Sequence, residues 1–250
     1  MRRRTFTIVG IIVAVLAVAF LWSWLSGDDE SSTTTTTTAA TEGVVPPPGP
    51  GAAITGETPC PPTDGSAERT TSFENPPPDC LDDGVDYVAV FDTTEGEIRV
   101  DLDEATVPGT VNNFVTLARY GYYDDTAIFR TDPSIEIIQG GAPTTNSPAD
   151  PGPGYTIEDE ADGFTYEAGQ LVMARTPQPD SSGAQFFFVA GPAAASLDDD
   201  GSYLVFGNTD EDGLSVVQSI LALNEDDPAS QLGGSPNRPV IVNSVTIEEG

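Results

Sequence analysis

The segment Ile128-Phe129-Arg130-Thr131-Asp132-Pro133-Ser134-Ile135-Glu136-Ile137-Ile138-Gln139-Gly140-Gly141 sets two short β-branched and aromatic runs on either side of Asp132-Pro133-Ser134. Proline at the second position of a turn, with Asp and Ser beside it, favours a type I turn and hence an antiparallel pair of strands. Side chains alternate along a strand, so Ile128 and Arg130 share one face of the first. Ile135, Ile137 and Gln139 share one face of the second. A cation and an amide therefore stand beside an apolar strip.

Around that hairpin, the residue types that are missing narrow the chemistry. The 250-residue chain has 40 acidic residues against 9 basic ones, a formal net charge of −31 and no histidine; every basic residue is an arginine. Without His or Lys there is no Ser-His-Asp triad, no Schiff-base lysine, no lysine-bearing phosphate loop and no histidine-ligated zinc. Two cysteines cannot build a four-thiolate site in one chain. The composition thus predicts neither a metal nor a cofactor, and confines the chemistry to arginine, carboxylates, amides, hydroxyls and shape. An acidic chain also argues against nucleic acid as a partner, because phosphate binding needs a basic stripe. The run from Asn208 to Gly213 matches the first half of a calcium loop, but its twelfth position is Ser219 rather than a bidentate Glu. It and Asp198-Asp199-Asp200-Gly201 read as acidic turns.

The N-terminal third does not read as globular. Residues 1–5, with Arg2–Arg4, form a short basic tail, and Phe6–Leu25 is an apolar run broken only by Thr7, Gly10 and Ser23. As a helix it spans about 30 Å, the thickness of a bilayer core. The arginines place the tail in the cytoplasm, and Trp22 and Trp24 suit the outer interface. The competing reading, a cleaved signal peptide, lacks small residues at a cleavage site. Residues 26–58, with Thr33–Thr38 and Pro46-Pro47-Pro48-Gly49-Pro50, read as a disordered linker, in part polyproline II. Thr-rich stalks are sometimes glycosylated. Cys60 and Cys80, on the predicted outer side, are expected to pair and to close an extension over residues 59–84, with Phe73 packing onto the domain that follows.

That domain spans residues 85–250. Tyr87–Phe91 and Ile98–Leu102 read as strands around Thr93-Thr94-Glu95-Gly96. Pro108 opens a helix running to Arg119, and Gly121 ends it. Gly169–Ala174, Gln185–Val189, Tyr203–Phe206 and Val240–Ile247 read as further strands, and Leu214–Leu223 as a second helix.

Seven blocks occur in order. They are Thr110-Val111-Asn112-Asn113-Phe114-Val115-Thr116-Leu117, Gly121-Tyr122-Tyr123-Asp124, the hairpin itself, Gly152-Pro153-Gly154-Tyr155-Thr156-Ile157-Glu158-Asp159-Glu160, Met173-Ala174, Gly183-Ala184-Gln185-Phe186-Phe187 and Val205-Phe206-Gly207. Together they resemble the cyclophilin-type peptidyl-prolyl cis-trans isomerases. The resemblance implies a mostly β fold, a closed antiparallel β-barrel capped by two α-helices. It matches Arg130 to the catalytic arginine and Gln139 to the glutamine that anchors substrate. It implies substrate contacts at Phe187, Gln185, Ile137, Ile135, Ala174, Arg175, Leu197, Tyr203 and Phe129. Arg175 stands where the family has an asparagine, and Tyr203 near its usual histidine. Phe129 replaces the histidine before the arginine, and Ser196 replaces a rim tryptophan. The run from Arg130 to Gln139 is one residue longer than usual, which leaves either Ile135 or Glu136 at the pocket phenylalanine position.

The expectation is therefore a monomeric, membrane-anchored prolyl isomerase acting outside the cytoplasmic membrane on proline-containing segments of exported or unfolded chains. The alternative is a weakly active or inactive module that binds such segments at the cell surface.

Overall fold

The computed structural model describes residues 45–199 and 201–250. The segments expected to form the tail and the membrane anchor lie outside these residues, and no described helix is long and apolar enough to cross a membrane.

A two-stranded parallel sheet pairs β1 (Ala52–Ile54) with β2 (Thr70–Phe73). Ala52–Ile54, expected from the sequence to lie in the disordered linker, is thus a paired strand. The Arg69 guanidinium donates to the Gly49 carbonyl, and the Ala52 N–H donates to the Arg69 carbonyl. Cys60 and Cys80 form the expected disulfide. Phe73 is buried against Tyr120, with ring centroids 5.3 Å apart. The Cys80 N–H donates to Asn112 Oδ1, and Asn112 Nδ2 donates to the Pro78 carbonyl, each at 2.8 Å. The extension is thus stitched onto the face of the first helix.

β3 (Tyr87–Thr93) and β4 (Gly96–Leu102) form a hairpin. The first helix, α1 (Pro108–Arg119), has the expected ends. Gly121, at φ 62°, donates to the Ala118 carbonyl while Tyr122 donates to the Leu117 carbonyl, a Schellman cap. Its N-terminus has no local side-chain cap; Glu160 supplies one from a distant loop. The carboxylate accepts from the Gly109 N–H at 2.7 Å and from the Thr110 N–H and hydroxyl at 2.6 Å. An anion there satisfies orphan donors and faces the positive end of the helix dipole. Glu160→Ala is expected to lower stability by about 1–2 kcal/mol, read as a shift in the urea midpoint at constant slope.

The chain continues through β5 (Thr126–Ala127), β6 (Arg130–Asp132), β7 (Ile137–Gly140), β8 (Gln170–Met173) and β9 (Phe186–Val189). A 3-10 helix (Pro192–Leu197), β10 (Val205–Thr209) and α2 (Glu211–Leu221) follow. The last strands are β11 (Asn224–Asp226), β12 (Gly234–Pro236) and β13 (Ile241–Glu249). The helix α2 begins three residues before the expected Leu214. Asp210 caps it by accepting from the Gly213 N–H at 2.8 Å, and Glu211 and Asp212 fill its first turn. The acidic turn, considered also as half a calcium loop, is a helix start.

Eleven strands form one curled antiparallel sheet in the order β11-β12-β6-β7-β9-β8-β10-β4-β3-β13-β5. The barrel is not closed, contrary to the expectation. Thr126 and Ala127 pair with β13, whereas Arg130–Asp132 pair with β7. Between them the Ile128 N–H donates to Val240 and the Phe129 N–H donates to Gln139. The backbone changes partners over two residues, so no continuous ladder crosses the seam.

β9 is buried on both faces. Phe186 and Phe188 enter the main core with Phe91 and Phe114; the Phe91–Phe188 centroids are 5.2 Å apart, edge on. Alternation turns Phe187 and Val189 the other way, into a smaller cluster with Ile137, Val172 and Val205. That second cluster floors the candidate site.

Candidate active site

Cross-strand register brings the site together. Arg130 lies opposite Gln139, and Gln139 lies opposite Phe187 on the next strand. Above these residues opens a groove of about 440 Å³. Of the expected contacts, Arg130, Gln139, Gln185, Phe187, Ile137, Ile135, Ala174, Arg175, Leu197 and Tyr203 all line it.

The floor is apolar. Ile137 and Phe187 are 2% and 3% exposed. The Tyr203 ring stands edge-on to Phe187 with centroids 5.6 Å apart. Tyr203 is fixed through its backbone, its N–H donating to the Tyr166 hydroxyl at 2.9 Å. Such a pocket matches a compact, apolar, five-membered ring.

The extra residue between Arg130 and Gln139 is absorbed at Glu136, which adopts φ 47°. Its carboxylate turns away and accepts from the Ala193 N–H at 2.6 Å, capping the 3-10 helix. Ile135, not Glu136, therefore faces the groove.

Arg130 is held on three sides. Nη1 donates to Gln139 Oε1 at 2.9 Å, Nη2 donates to Asp132 Oδ2 at 2.8 Å, and Nε donates to the Leu232 carbonyl. A guanidinium has five N–H donors, so two remain without partners among the described residues. The Arg130 and Asp132 side chains are 16% and 9% exposed, so the pair is largely shielded from water. Burial pushes the Asp132 carboxyl up, but hydrogen bonds from Ser134 and Arg130 outweigh it and hold it below its usual value. The polar chain continues from Gln139 Nε2 to Gln185 Oε1 at 3.0 Å, and from Gln185 Nε2 to the Pro148 carbonyl at 3.2 Å.

One expected contact is corrected. Phe129 does not line the groove, because strand alternation places it on the face opposite Arg130. Arg175 lines the groove as expected, and its guanidinium is also engaged by neighbouring loops. Nη1 pairs with Asp159 at 2.9 Å and donates to Ser202, Nη2 donates to Gln178, and Nε donates to Thr176. Its guanidinium thus staples loops together at the edge of the groove.

Other residues escaped the sequence reading. Asp132 shares a strand face with Arg130, and that alternation was the available signal. The loop from Pro148 to Pro153 walls one side, braced by Asp150, which accepts from the Thr144, Thr145 and Gly152 N–H groups at 2.9 Å. Leu232 arrives from the β11–β12 hairpin, and nothing local announces it.

An apolar pocket beside an arginine with spare donors suits a planar amide flanked by a proline ring. Comparisons with known proteins agree. Residues 88–247 match the family model described as cyclophilin type peptidyl-prolyl cis-trans isomerase/CLD. A peptidyl-prolyl cis-trans isomerase-like 1 of Gibberella zeae is 31% identical over 166 residues, covering 64% of this chain and 94% of its own. A peptidyl-prolyl cis-trans isomerase of Synechococcus elongatus is 35% identical over 133 residues, 53% of this chain and 87% of its own. A cyclophilin-type isomerase of Cryptosporidium parvum, solved in the presence of the dipeptide Ala-Pro, superimposes with a TM-score of 0.54 at 25% identity. That match covers 65% of this chain and 99% of the other. With the match to the family spanning most of the ordered domain, the chain belongs to the cyclophilin-type peptidyl-prolyl cis-trans isomerases.

Proposed function

We propose that this isomerase is anchored by its N-terminal helix and acts outside the cytoplasmic membrane on proline-containing segments of exported or unfolded chains, with Arg130 as its catalytic residue. The observation that carries the catalytic part is the pair of spare Arg130 N–H groups beside the pocket floored by Phe187 and Ile137. The Ala-Pro dipeptide present with the Cryptosporidium parvum relative supports proline-containing peptides as ligands.

Resonance holds an Xaa-Pro amide planar, with a barrier of about 18–20 kcal/mol. As the bond rotates, the prolyl nitrogen becomes pyramidal and its lone pair localises. A guanidinium N–H donated to that lone pair stabilises the rotated state more than the planar one. Reaching millisecond turnover requires lowering the barrier by about 6 kcal/mol. The clamp on Arg130 keeps its donors in place, so little reorganisation is needed during the reaction. No proton or group is transferred, which suits a chain without histidine or lysine.

The topology rests on Arg2–Arg4 before the apolar run and Trp22 and Trp24 at its end. Protease added to intact cells should remove the folded domain; full protection would contradict the extracytoplasmic placement. Acceleration of a proline-limited refolding reaction by the full chain would test the folding role.

The pH profile should be flat. The chain has no histidine, the Asp132 carboxyl is held below its usual value by Ser134 and Arg130, and burial pushes the groove's Tyr155 up, so these shifts move both groups away from neutrality. We expect kcat/KM to vary by less than about twofold between pH 5 and pH 9. A bell-shaped profile centred near neutrality would contradict this.

Cyclosporin should bind weakly. Relatives that bind this cyclic peptide tightly use the rim tryptophan, and the tryptophans of this chain are Trp22 and Trp24. Ser196 is exposed, lies outside the groove and bonds its hydroxyl to the Ala193 carbonyl at 2.8 Å. Loss of one anchoring aromatic commonly costs about 2 kcal/mol, or about thirtyfold in affinity. Calorimetry on the unaltered chain and on Ser196→Trp should show tightening of that order.

A further inference from the structure

Leu232 is the one large hydrophobic side chain exposed among the described residues, at 46%. It lines the groove beside Arg130, and its own carbonyl accepts the Arg130 Nε–H. Its place is set by backbone rather than by a loose loop tip. Gly234 pairs with Thr131, and the Thr131 hydroxyl donates to Asn224 Oδ1 at 2.7 Å. Gly233 adopts φ +87°, and a Cβ there would stand 2.7 Å from the Thr131 carbonyl oxygen and 3.0 Å from Asp132. Only glycine permits so close an approach. The β11–β12 hairpin is thus seated on the strand that carries Arg130.

A lone exposed leucine on a convex surface needs no explanation. This one stands in the wall of a groove, against the guanidinium that faces the prolyl bond. Once a proline occupies the pocket, the side chain of an adjacent residue is what can cover Leu232 and remove its apolar area from water. Of the large hydrophobic residues that line the groove, Ile135, Ile137, Tyr155, Phe187, Leu197 and Tyr203 are buried or half-buried, which leaves Leu232 as the exposed one.

We infer that Leu232 is a specificity-determining residue, selecting segments that carry a large apolar side chain next to the proline. The inference deepens the peptide-binding reading above and rests on it. The test titrates the full chain by NMR with Gly-Leu-Pro-Leu-Gly and with Gly-Gly-Pro-Gly-Gly, and takes the ratio of the two affinities. Leu232→Ala should lower that ratio by about threefold to tenfold, and Leu232→Met should hold it near the unaltered value. An unchanged ratio, a proportional loss for both peptides, or binding of neither peptide would overturn the inference. Exchange rates of the bound peptides report separately on catalysis. A leucine preference without accelerated exchange would support the inference while removing the isomerase mechanism.

Discussion

Arg130→Ala should slow prolyl isomerisation by about a hundredfold or more, the loss typical of removing one preorganised charged donor from a shielded site. The fold in kcat/KM should come mainly from kcat, because the donor is used as the lone pair localises rather than in binding the planar amide. The substitution also strips Asp132 of its cation. That carboxylate keeps the Ser134 N–H at 3.0 Å and the Ser134 hydroxyl at 2.6 Å, so the stability cost should stay at about 1–3 kcal/mol. The double variant Arg130→Ala, Asp132→Ala separates the two effects. It should recover stability without recovering activity, because the unpaired buried carboxylate is gone but the donor is still missing. If Arg130→Ala keeps more than about a third of the rate, a different group faces the nitrogen.

Loss of the disulfide should cost about 3 kcal/mol of stability in the chain-entropy account, given a separation of 20 residues between Cys60 and Cys80. The loop it closes holds β2 and Phe73, whose ring meets Tyr120 and Tyr155 and whose N–H donates to the Pro153 carbonyl at 2.7 Å. Pro153 and Tyr155 also wall the groove. Cys60→Ala with Cys80→Ala should therefore lower the urea midpoint and loosen that wall, while Arg130, on the far strands, keeps its clamp. Reductant should bring the unaltered chain to the same midpoint. An unchanged midpoint would show that the Asn112 and Tyr120 hydrogen bonds hold the extension without the crosslink.

Much of the site was legible because it follows strand alternation. That Arg130 and Gln139 stand beside apolar strips, and that Gln185 shares a face with Phe187, follow from a period of two. The pairing of Arg130 with Gln139 does not, because the turn spans residues 133–136 and the second strand begins at Ile137 rather than Ile135. The helix α1 was legible at both ends because Pro108 and Gly121 mark them chemically. The start of α2 was missed because apolar periodicity begins at Leu214, one turn after the capping Asp210. β1 was missed because Ala52–Ile54 has no pattern of its own and is ordered by pairing with β2. Phe129 was assigned by correspondence where alternation already pointed the other way. The loop contacts of Arg175 were not legible, because the acceptors Asp159, Gln178 and Ser202 come from turns whose folding no local pattern reveals. Leu232 belongs to the same class, brought to Arg130 by a long-range pairing and a close glycine approach. The open seam of the sheet lies where Ile128 and Phe129 bond to different neighbours, a choice made by tertiary contacts rather than by propensity.

The central claim is that the clamped guanidinium beside the apolar floor catalyses rotation about the prolyl bond. Exchange NMR on a short Xaa-Pro peptide with a catalytic amount of the full chain tests it most directly. The expected result is cis-trans exchange on the millisecond scale, against tens of seconds or longer in buffer, with the acceleration largely lost in Arg130→Ala. Peptide binding with an exchange rate equal to that in buffer would contradict the claim, and would make the groove a binding site for proline-containing segments.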